Sequence, residues 1–318
     1  VSFREVEENW KFDSNEVARQ IAAGDFSRRT NNNVVTVAAQ YYSGYADYYC
    51  DGVDDQEEIN NATSYVGTIG GTVQLTRGTF RITSSCTLYD QVSIRGDGDG
   101  TLVMCDTSSV INVVSAIGTS TTYIKNVTVS DMMFDRIQST DGCYVRLNYV
   151  DGYSISNVTI KSPIALGIYL AEIKNGTVIN NRIGNASAVT LSDTCYGIVM
   201  QNTITSVNNI IQANIVSDIK SVNITAGIDA EDSVSNQSIM VVNNKVLNVA
   251  ASTSGVAVGI LEKGKYNLIS SNQIVGTTAP SGTAIGLYIA SSISTICANN
   301  YCYNNGADTG LANTNNDN

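Results

Sequence analysis

Histidine is absent from all 318 residues. Ser-His-Asp and Cys-His nucleophilic sites are therefore excluded, as is any His-ligated metal. Proline occurs only twice, which suits a chain made mostly of hydrogen-bonded strand, where proline removes a ladder donor. Cationic residues are scarce: 18 Lys and Arg against 29 Asp and Glu leave a net charge of −11. Nucleic acid and anionic membrane are thereby disfavoured as partners, since their phosphates would be repelled. No run of 18 apolar residues exists, so nothing reads as a membrane-spanning helix. The first 20 residues are charged rather than apolar and do not read as a secretory signal, although a start at Val1 instead of Met leaves room for a removed leader. Seven Cys is an odd number, with no Cys-x-x-Cys pair. Neither a disulfide scaffold nor a zinc site is expected, and folding in a reducing cytoplasm fits this usage.

What is present is a repeat. A glycine opens a short apolar string six times: Gly142-Cys143-Tyr144-Val145, Gly167-Ile168-Tyr169-Leu170, Gly197-Ile198-Val199-Met200, Gly227-Ile228-Asp229-Ala230, Gly259-Ile260-Leu261-Glu262 and Gly286-Leu287-Tyr288-Ile289. These glycines are 25, 30, 30, 32 and 27 positions apart. A second series follows each of the last five by 13 to 17 positions: Asn181/Ile183, Asn244/Val246, Asn272/Ile274 and Asn300/Cys302, with Ala213/Ile215 keeping the spacing without the Asn. Two series in phase at this period mean stacked units, each burying its apolar side against its neighbours.

The content of the repeat selects the solenoid. Its runs are short, rich in Val, Ile, Thr and Tyr, and separated by Gly, Asn, Asp and Ser, which is strand and turn chemistry. No amphipathic helical stretch appears after residue 66. The fold class expected is all-β, a right-handed parallel β-helix of eight or nine coils from residue 70 onward, about 40 Å long at 4.8 Å per coil. The recurring Asn is expected to form an amide ladder at a turn, where Asn tolerates left-handed backbone angles. Cys143 and Cys302 occupy slots held elsewhere by Ile or Val and read as small core residues. The seven Asn-x-Ser/Thr triplets, at Asn61, Asn126, Asn157, Asn175, Asn185, Asn223 and Asn236, read as turn residues rather than glycosylation sites.

A resemblance follows from the opening of this region. Ala46 to Asn60 (ADYYCDGVDDQEEIN), then Gly70-Gly71-Thr72-Val73-Gln74-Leu75, Arg77-Gly78-Thr79-Phe80 and Ile94-Arg95-Gly96-Asp97-Gly98-Asp99-Gly100-Thr101 together resemble the start of pectate-lyase-like β-helix proteins, a superfamily that includes phage tailspikes and surface-exposed repeat proteins. The resemblance runs from about residue 46 to the end. It implies a capping helix near 54–66, protecting the strand edges of the first coil. It is specific for fold and not for function, because that fold carries lyases, hydrolases, adhesins and inert rods. Polygalacturonase-like hydrolases are disfavoured, because their signature includes a His.

Residues 1–32 stand apart from the β-helix domain at 33–318. Asp13 and Glu16 have capping-box spacing, and Val17, Ala18 and Ile21 share a helical face that ends at Gly24. Trp10, Phe12 and Phe26 flank this short helix. Two readings are open for it: a helix packed on the rod, or an attachment and trimerisation segment, since a lone short helix with exposed aromatics is marginal.

Strand alternation sorts the candidate site residues. If Ile168, Ile198, Ile228, Ile260 and Leu287 face inward, the outward column is Tyr144, Tyr169, Val199, Asp229, Leu261 and Tyr288. A second outward column holds Arg146, Ala171, Gln201, Glu231, Lys263 and Ala290. Asp229 and Glu231 then share one strand and one side, about 6.6 Å apart along the backbone, a spacing that suits an inverting carboxylate pair. Tyr144, Tyr169 and Tyr288 are candidate stacking platforms for sugar rings. Glu231 also lies one coil from Lys263, so an exposed ion pair explains it equally well. Asp131, Asp135 and Asp141 with Arg136 resemble the acidic Ca sites of pectate lyases only loosely and read as turn residues, so no cofactor is expected, Ca being the one considered.

Two functions fit. The first is a glycan-binding structural rod, a phage tail fibre or tailspike that is homotrimeric, contacts host polysaccharide, and joins other tail or baseplate proteins through its N-terminus in the virion tail. The second is a secreted polysaccharide hydrolase or lyase. A bacterial or archaeal surface repeat protein is a further alternative. The polar end Asn-Thr-Asn-Asn-Asp-Asn has no capping element and leaves room for a further C-terminal domain. The mixed, sparse carboxylates and the missing His favour the rod.

Overall fold

Three columns of inward side chains organise the chain. The structure is a computed structural model that describes residues 33–313 apart from 108, 137–141, 162, 164, 185–193, 204–206, 233–237, 253 and 306–310. One column runs Val114, Val145, Ile168, Ile198, Ile228, Ile260 and Leu287, each paired in parallel with the next. A second runs Val35, Val73, Ile94, Val129, Ile155, Val178, Ile211, Val241, Ile269 and Cys297. The third runs Phe80, Val103, Phe134, Ile160, Ile183, Val216, Val246, Ile274 and Cys302. Apart from the terminal cysteines, all of these side chains are buried in one continuous core. Each coil thus contributes one strand to each of three faces, and β-branched residues pack in register from coil to coil.

This is the right-handed parallel β-helix read from the repeat. Stacking begins earlier than expected, at Val34–Ala38 rather than near residue 70, because that strand pairs with Gly71–Leu75. The nine steps of the second column span about 43 Å at the usual strand spacing. Residues 34–318 form a single compact unit. The helical segment expected within 1–32 lies outside the described residues.

The repeat glycines are required by close approach. A Cβ on Gly227 would sit 2.4 Å from Val246 Cγ1 and 2.7 Å from Gly259 O, and one on Gly259 would sit 2.3 Å from Ile274 Cγ2 and 2.4 Å from Gly286 O. At these positions the first face closes onto third-face side chains, leaving no volume for a methyl group. Gly142 does not belong to this series. Val145 pairs with Ile168, which shifts that coil by two positions and puts Tyr144 level with Gly167. Cys143 pairs with Leu166 and not with the Ile slot, although it is buried. Cys302 does take the expected slot, paired with Ile274.

The asparagine ladder is present and one member longer than the sequence pattern suggested. Asn181, Asn214, Asn244, Asn272 and Asn300 stack, with each Nδ2 donating to the next Oδ1 at 2.9 to 3.1 Å. The same Oδ1 also accepts the backbone N–H of the preceding member. The Ala213/Ile215 alignment is therefore corrected to Asn214/Val216. A second correction concerns backbone angle. The left-handed residue is the one before each ladder member, Asn180, Ala213, Asn243, Ser271 or Asn299, with φ of 55° to 57°. The amide itself points inward, where its hydrogen bonds replace water. Among the triplet asparagines, Asn126, Asn157 and Asn175 occupy left-handed turns as expected, whereas Asn61 lies in a helix.

That helix, α1, runs Gln56–Gly67, close to the 54–66 expected. Its Ile59, Ala62 and Val66 enter the core. Its polar residues clamp the next coil. Asp55 Oδ2 accepts the Arg81 N–H at 2.6 Å, Gln56 Oε1 the Thr83 N–H at 3.0 Å, and Asn60 Oδ1 the Thr87 N–H at 2.7 Å. Asp55, Gln56 and Asn60 of the Asp-Asp-Gln-Glu-Glu-Ile-Asn string thus act as acceptors for backbone N–H groups of the neighbouring strands. No helix among the described residues is long and apolar enough to cross a membrane.

Candidate functional site

The outward side of the first face carries the candidate site. It is built on Gly142–Lys161, Leu166–Ile179, Thr194–Asn202, Ile224–Asp232, Val256–Lys265 and Thr283–Ile293. With the two-position shift applied, its outward column reads Arg146, Tyr169, Val199, Asp229, Leu261 and Tyr288. The adjacent column reads Asn148, Ala171, Gln201, Glu231, Lys263 and Ala290. Arg146 therefore stands in the place expected for Tyr144. Tyr144 faces inward, is only 1% exposed, packs its ring 6.1 Å from that of Phe134, and donates to Lys161 O. It is not a surface platform.

Tyr169 and Tyr288 stay on the outer side, both half-buried. Around Tyr169 the polar groups converge. Its Oη donates to Gln201 Oε1 at 3.2 Å, and the Arg146 guanidinium lies 5.3 Å from its ring centroid. The cation fixes one side of the ring and the amide fixes its hydroxyl, so the ring is held by both. One coil on, Glu231 forms an ion pair with Lys263. This is the inter-coil pair that the repeat placed together.

Asp229 differs from the expectation. It shares the strand and side with Glu231, but it is 3% exposed, and its Oδ1 is buried with no hydrogen-bond partner. Burial raises its pKa to about 7, with the Lys263 charge acting in the opposite direction. Half-buried Tyr196 lies close enough for the Asp229 charge to add to the upward push that burial gives its phenol. The two carboxylates thus occupy different environments: Asp229 is dry and its carboxyl is pushed up by burial, whereas Glu231 sits in an ion pair with Lys263.

The sequence columns placed Gln201 beside Glu231 without giving it a role, and they did not bring Tyr196 to the site. Register alone identifies Gln201, one coil from Ala171 and Glu231. A further acid was legible from alternation. Glu262 pairs with Ala230 and Ile289 on the inward side and is completely buried. Asn267 Nδ2 donates to its Oε1 at 2.6 Å, Oε2 has no partner, and burial raises its pKa to about 7.

The loosely Ca-like acidic group does not assemble. Asp131 occupies a left-handed turn, accepts from Asn157 and pairs with Arg95 at 3.2 Å. Asp135 lies on the third face in register with Met104, and Asp141 lies outside the described residues. Cys50, Asp55 and Glu58 bring possible ligand atoms within 4.8 Å of one another. However, both Asp55 oxygens already accept backbone N–H groups, of Gly52 and Arg81, and burial pushes the Cys50 thiol well up. This group reads as the anchor of α1.

No protein-family model and no curated protein sequence matches the chain. Solved structures do. The surface adhesin PfbA of Streptococcus pneumoniae matches with TM-score 0.53 at 15% identity, over 78% of this chain and 76% of that one. ORF18 of Geobacillus virus E2 matches with TM-score 0.49 at 13% identity, over 79% of this chain and 59% of that one. The family GH82 iota-carrageenase from A. fortis matches with TM-score 0.49 at 14% identity, over 77% of this chain and 57% of that one. This chain thus spans about three fifths of the length of the phage protein and of the carrageenase. At such identities the likeness concerns fold alone, and the shared architecture is the parallel β-helix that the repeat and the opening motifs indicated.

Proposed function

We propose that this chain is a glycan-binding rod, a homotrimeric phage tail fibre or tailspike that meets host polysaccharide with the outward side of its first face. The observation that carries the reading is the Tyr169 ring, held between the Arg146 guanidinium and the Gln201 amide beside the Glu231–Lys263 pair. A sugar offers an apolar face and a rim of hydroxyls. An oriented aromatic ring with an amide one coil away, a carboxylate two coils away and an ammonium three coils away complements both. Attachment to other tail or baseplate proteins is assigned to residues 1–32. The fold also serves surface adhesins, PfbA among them, so a bacterial or archaeal cell surface is the alternative setting.

A second reading, polysaccharide cleavage, is favoured by one observation: Asp229 and Glu231 lie on the same side of one strand with their environments set apart. Asp229 would be the general acid and Glu231 the base that activates water. The burial that keeps the proton on Asp229 also keeps substrate away from it, so binding ranks first. The experiment is incubation of host-surface polysaccharides with wild type, Tyr169→Ala and Glu231→Gln. The binding reading expects retention of polysaccharide without new reducing ends, weakened at least tenfold by Tyr169→Ala. Reducing ends formed by wild type and abolished by Glu231→Gln would establish the enzyme instead. Absence of both binding and cleavage across host glycans would overturn both.

A further inference from the structure

The third face carries an arrangement that the first-face site does not use. In the strands Arg182–Gly184, Ile215–Ser217, Lys245–Leu247, Gln273–Val275 and Tyr301–Tyr303, the middle residue faces the core, so the flanking residues face out. One outward column reads Arg182, Ile215, Lys245, Gln273 and Tyr301 in continuous register. Arg182, Lys245 and Gln273 are exposed. Tyr301 and Tyr303 are 55% and 62% exposed, with rings 6.2 Å apart and inclined by 18°, nearly parallel.

Two features leave this row open to a ligand. Neither Arg182 nor Lys245 forms an ion pair among the described residues, although the chain has 29 carboxylates to 18 cations. Among the described residues the cations in ion pairs are Arg77, Arg81, Arg95 and Lys263. Two large tyrosine rings are also left in water side by side, where burial would ordinarily be favoured. Parallel register places the two cations two coils apart, about 10 Å, and carries the column a further two coils to Tyr301. Along a strand-stacked rod the backbone spacing is fixed, so binding costs the ordering of the side chains and little backbone freedom.

We propose that this row is a second glycan site, distinct from the first face, and that it takes a linear anionic polysaccharide. Arg182 and Lys245 meet acidic groups two coils apart across Ile215, Gln273 bonds hydroxyls one coil beyond Lys245, and Tyr301 with Tyr303 stacks a sugar ring at the end of the track. Carboxylate and sulfate ester would both satisfy the cations, and both occur on linear polysaccharides. A protein of net charge −11 repels such polymers over most of its surface, so a local row of unpaired cations orients the polymer along the rod.

The test is affinity electrophoresis of the full chain through gels containing polygalacturonate, dextran sulfate or neutral dextran, each at 50 mM and 300 mM salt. Retardation by one or both anionic polymers, lost at high salt and absent in dextran, is expected. The stronger of the two tells carboxylate from sulfate. Arg182→Gln with Lys245→Gln should weaken retardation at least tenfold, and Tyr301→Ala with Tyr303→Ala at least threefold. Lys125→Gln, an exposed cation elsewhere, should leave it unchanged. All these changes are on outward positions, and an unchanged melting temperature verifies that the coil is intact. No retardation by either anionic polymer, equal retardation in dextran, or equal loss with Lys125→Gln would overturn the proposal. Loss with Tyr169→Ala alone would assign anionic binding to the first face and overturn the second site.

Discussion

Asn244 illustrates how much of this fold is carried by single buried amides. Its side chain donates to Ile211 O and Asn272 Oδ1 and accepts from both the backbone and the side chain of Asn214. Asn244→Ala leaves several buried groups without partners and should cost about 4 kcal/mol, at roughly 1 kcal/mol for each bond removed. Asn248→Ala, which removes an exposed bond to Asp218 and puts Ala at a left-handed φ of 53°, should cost about 1 to 2 kcal/mol, and urea unfolding of both variants measures the difference. Buried acids give a pH prediction. Asp229 and Glu262 both have folded pKa values raised to about 7 by burial. Below pH 4 they are protonated whether the chain is folded or not. Between pH 4 and 7 the folded state retains protons that the unfolded state releases, so stability falls as pH rises, and it levels off above 7. Glu262→Gln keeps an oxygen for Asn267 to donate to and should flatten this fall. A greater stability gain at pH 8 than at pH 5 is the expected result, read from urea midpoints. At this scale the sequence revealed residue types but not their direction. Tyr144 was misplaced because one coil is offset by two residues, and nothing in Gly142-Cys143-Tyr144-Val145 distinguishes it from the true repeats. Asn214 was passed over because its neighbour Ala213 kept the spacing.

At the scale of elements, the glycine column and the α1 clamp explain why the coils stack at all. Gly227→Ala would place a methyl 2.4 Å from Val246 Cγ1 and 2.7 Å from a backbone carbonyl, with little freedom to move either. A loss of about 2 to 3 kcal/mol is expected, the upper range for overpacking, measured as a lowered urea midpoint. Ile228→Asp, in the apolar column one residue later, should prevent folding altogether, because it buries an unpaired charge. A soluble Ile228→Asp protein with cooperative melting would refute the register. Elements were the most legible level in the sequence. The 30-residue period and the strand composition were visible because burial on every coil repeats the same apolar demand, whereas the helix near 54–66 came only from the resemblance of the opening motifs. The start of the stack at Val34–Ala38 was not visible, since a single strand without a repeat partner has no periodicity to reveal it.

The whole molecule is where the sequence was least informative, because an outward column tolerates many residues and so leaves no pattern. The repeat did bring Glu231 to Lys263 and Tyr169 to the outer side, but the burial of Asp229 depends on what covers it, which alternation cannot encode. For assembly, the tail-fibre reading expects light scattering of the full chain to give three times the 33.8 kDa chain mass, and removal of residues 1–32 to reduce it; a monomer in both cases would remove trimerisation from the account. The central claim is that the first face binds glycan, and the most direct measurement is a crystal structure of the chain with an oligosaccharide released from the polysaccharide it retains. The account predicts sugar rings over Tyr169, with hydroxyls reaching Gln201 and the Glu231–Lys263 pair. An occupied structure in which these side chains make no sugar contact would contradict it.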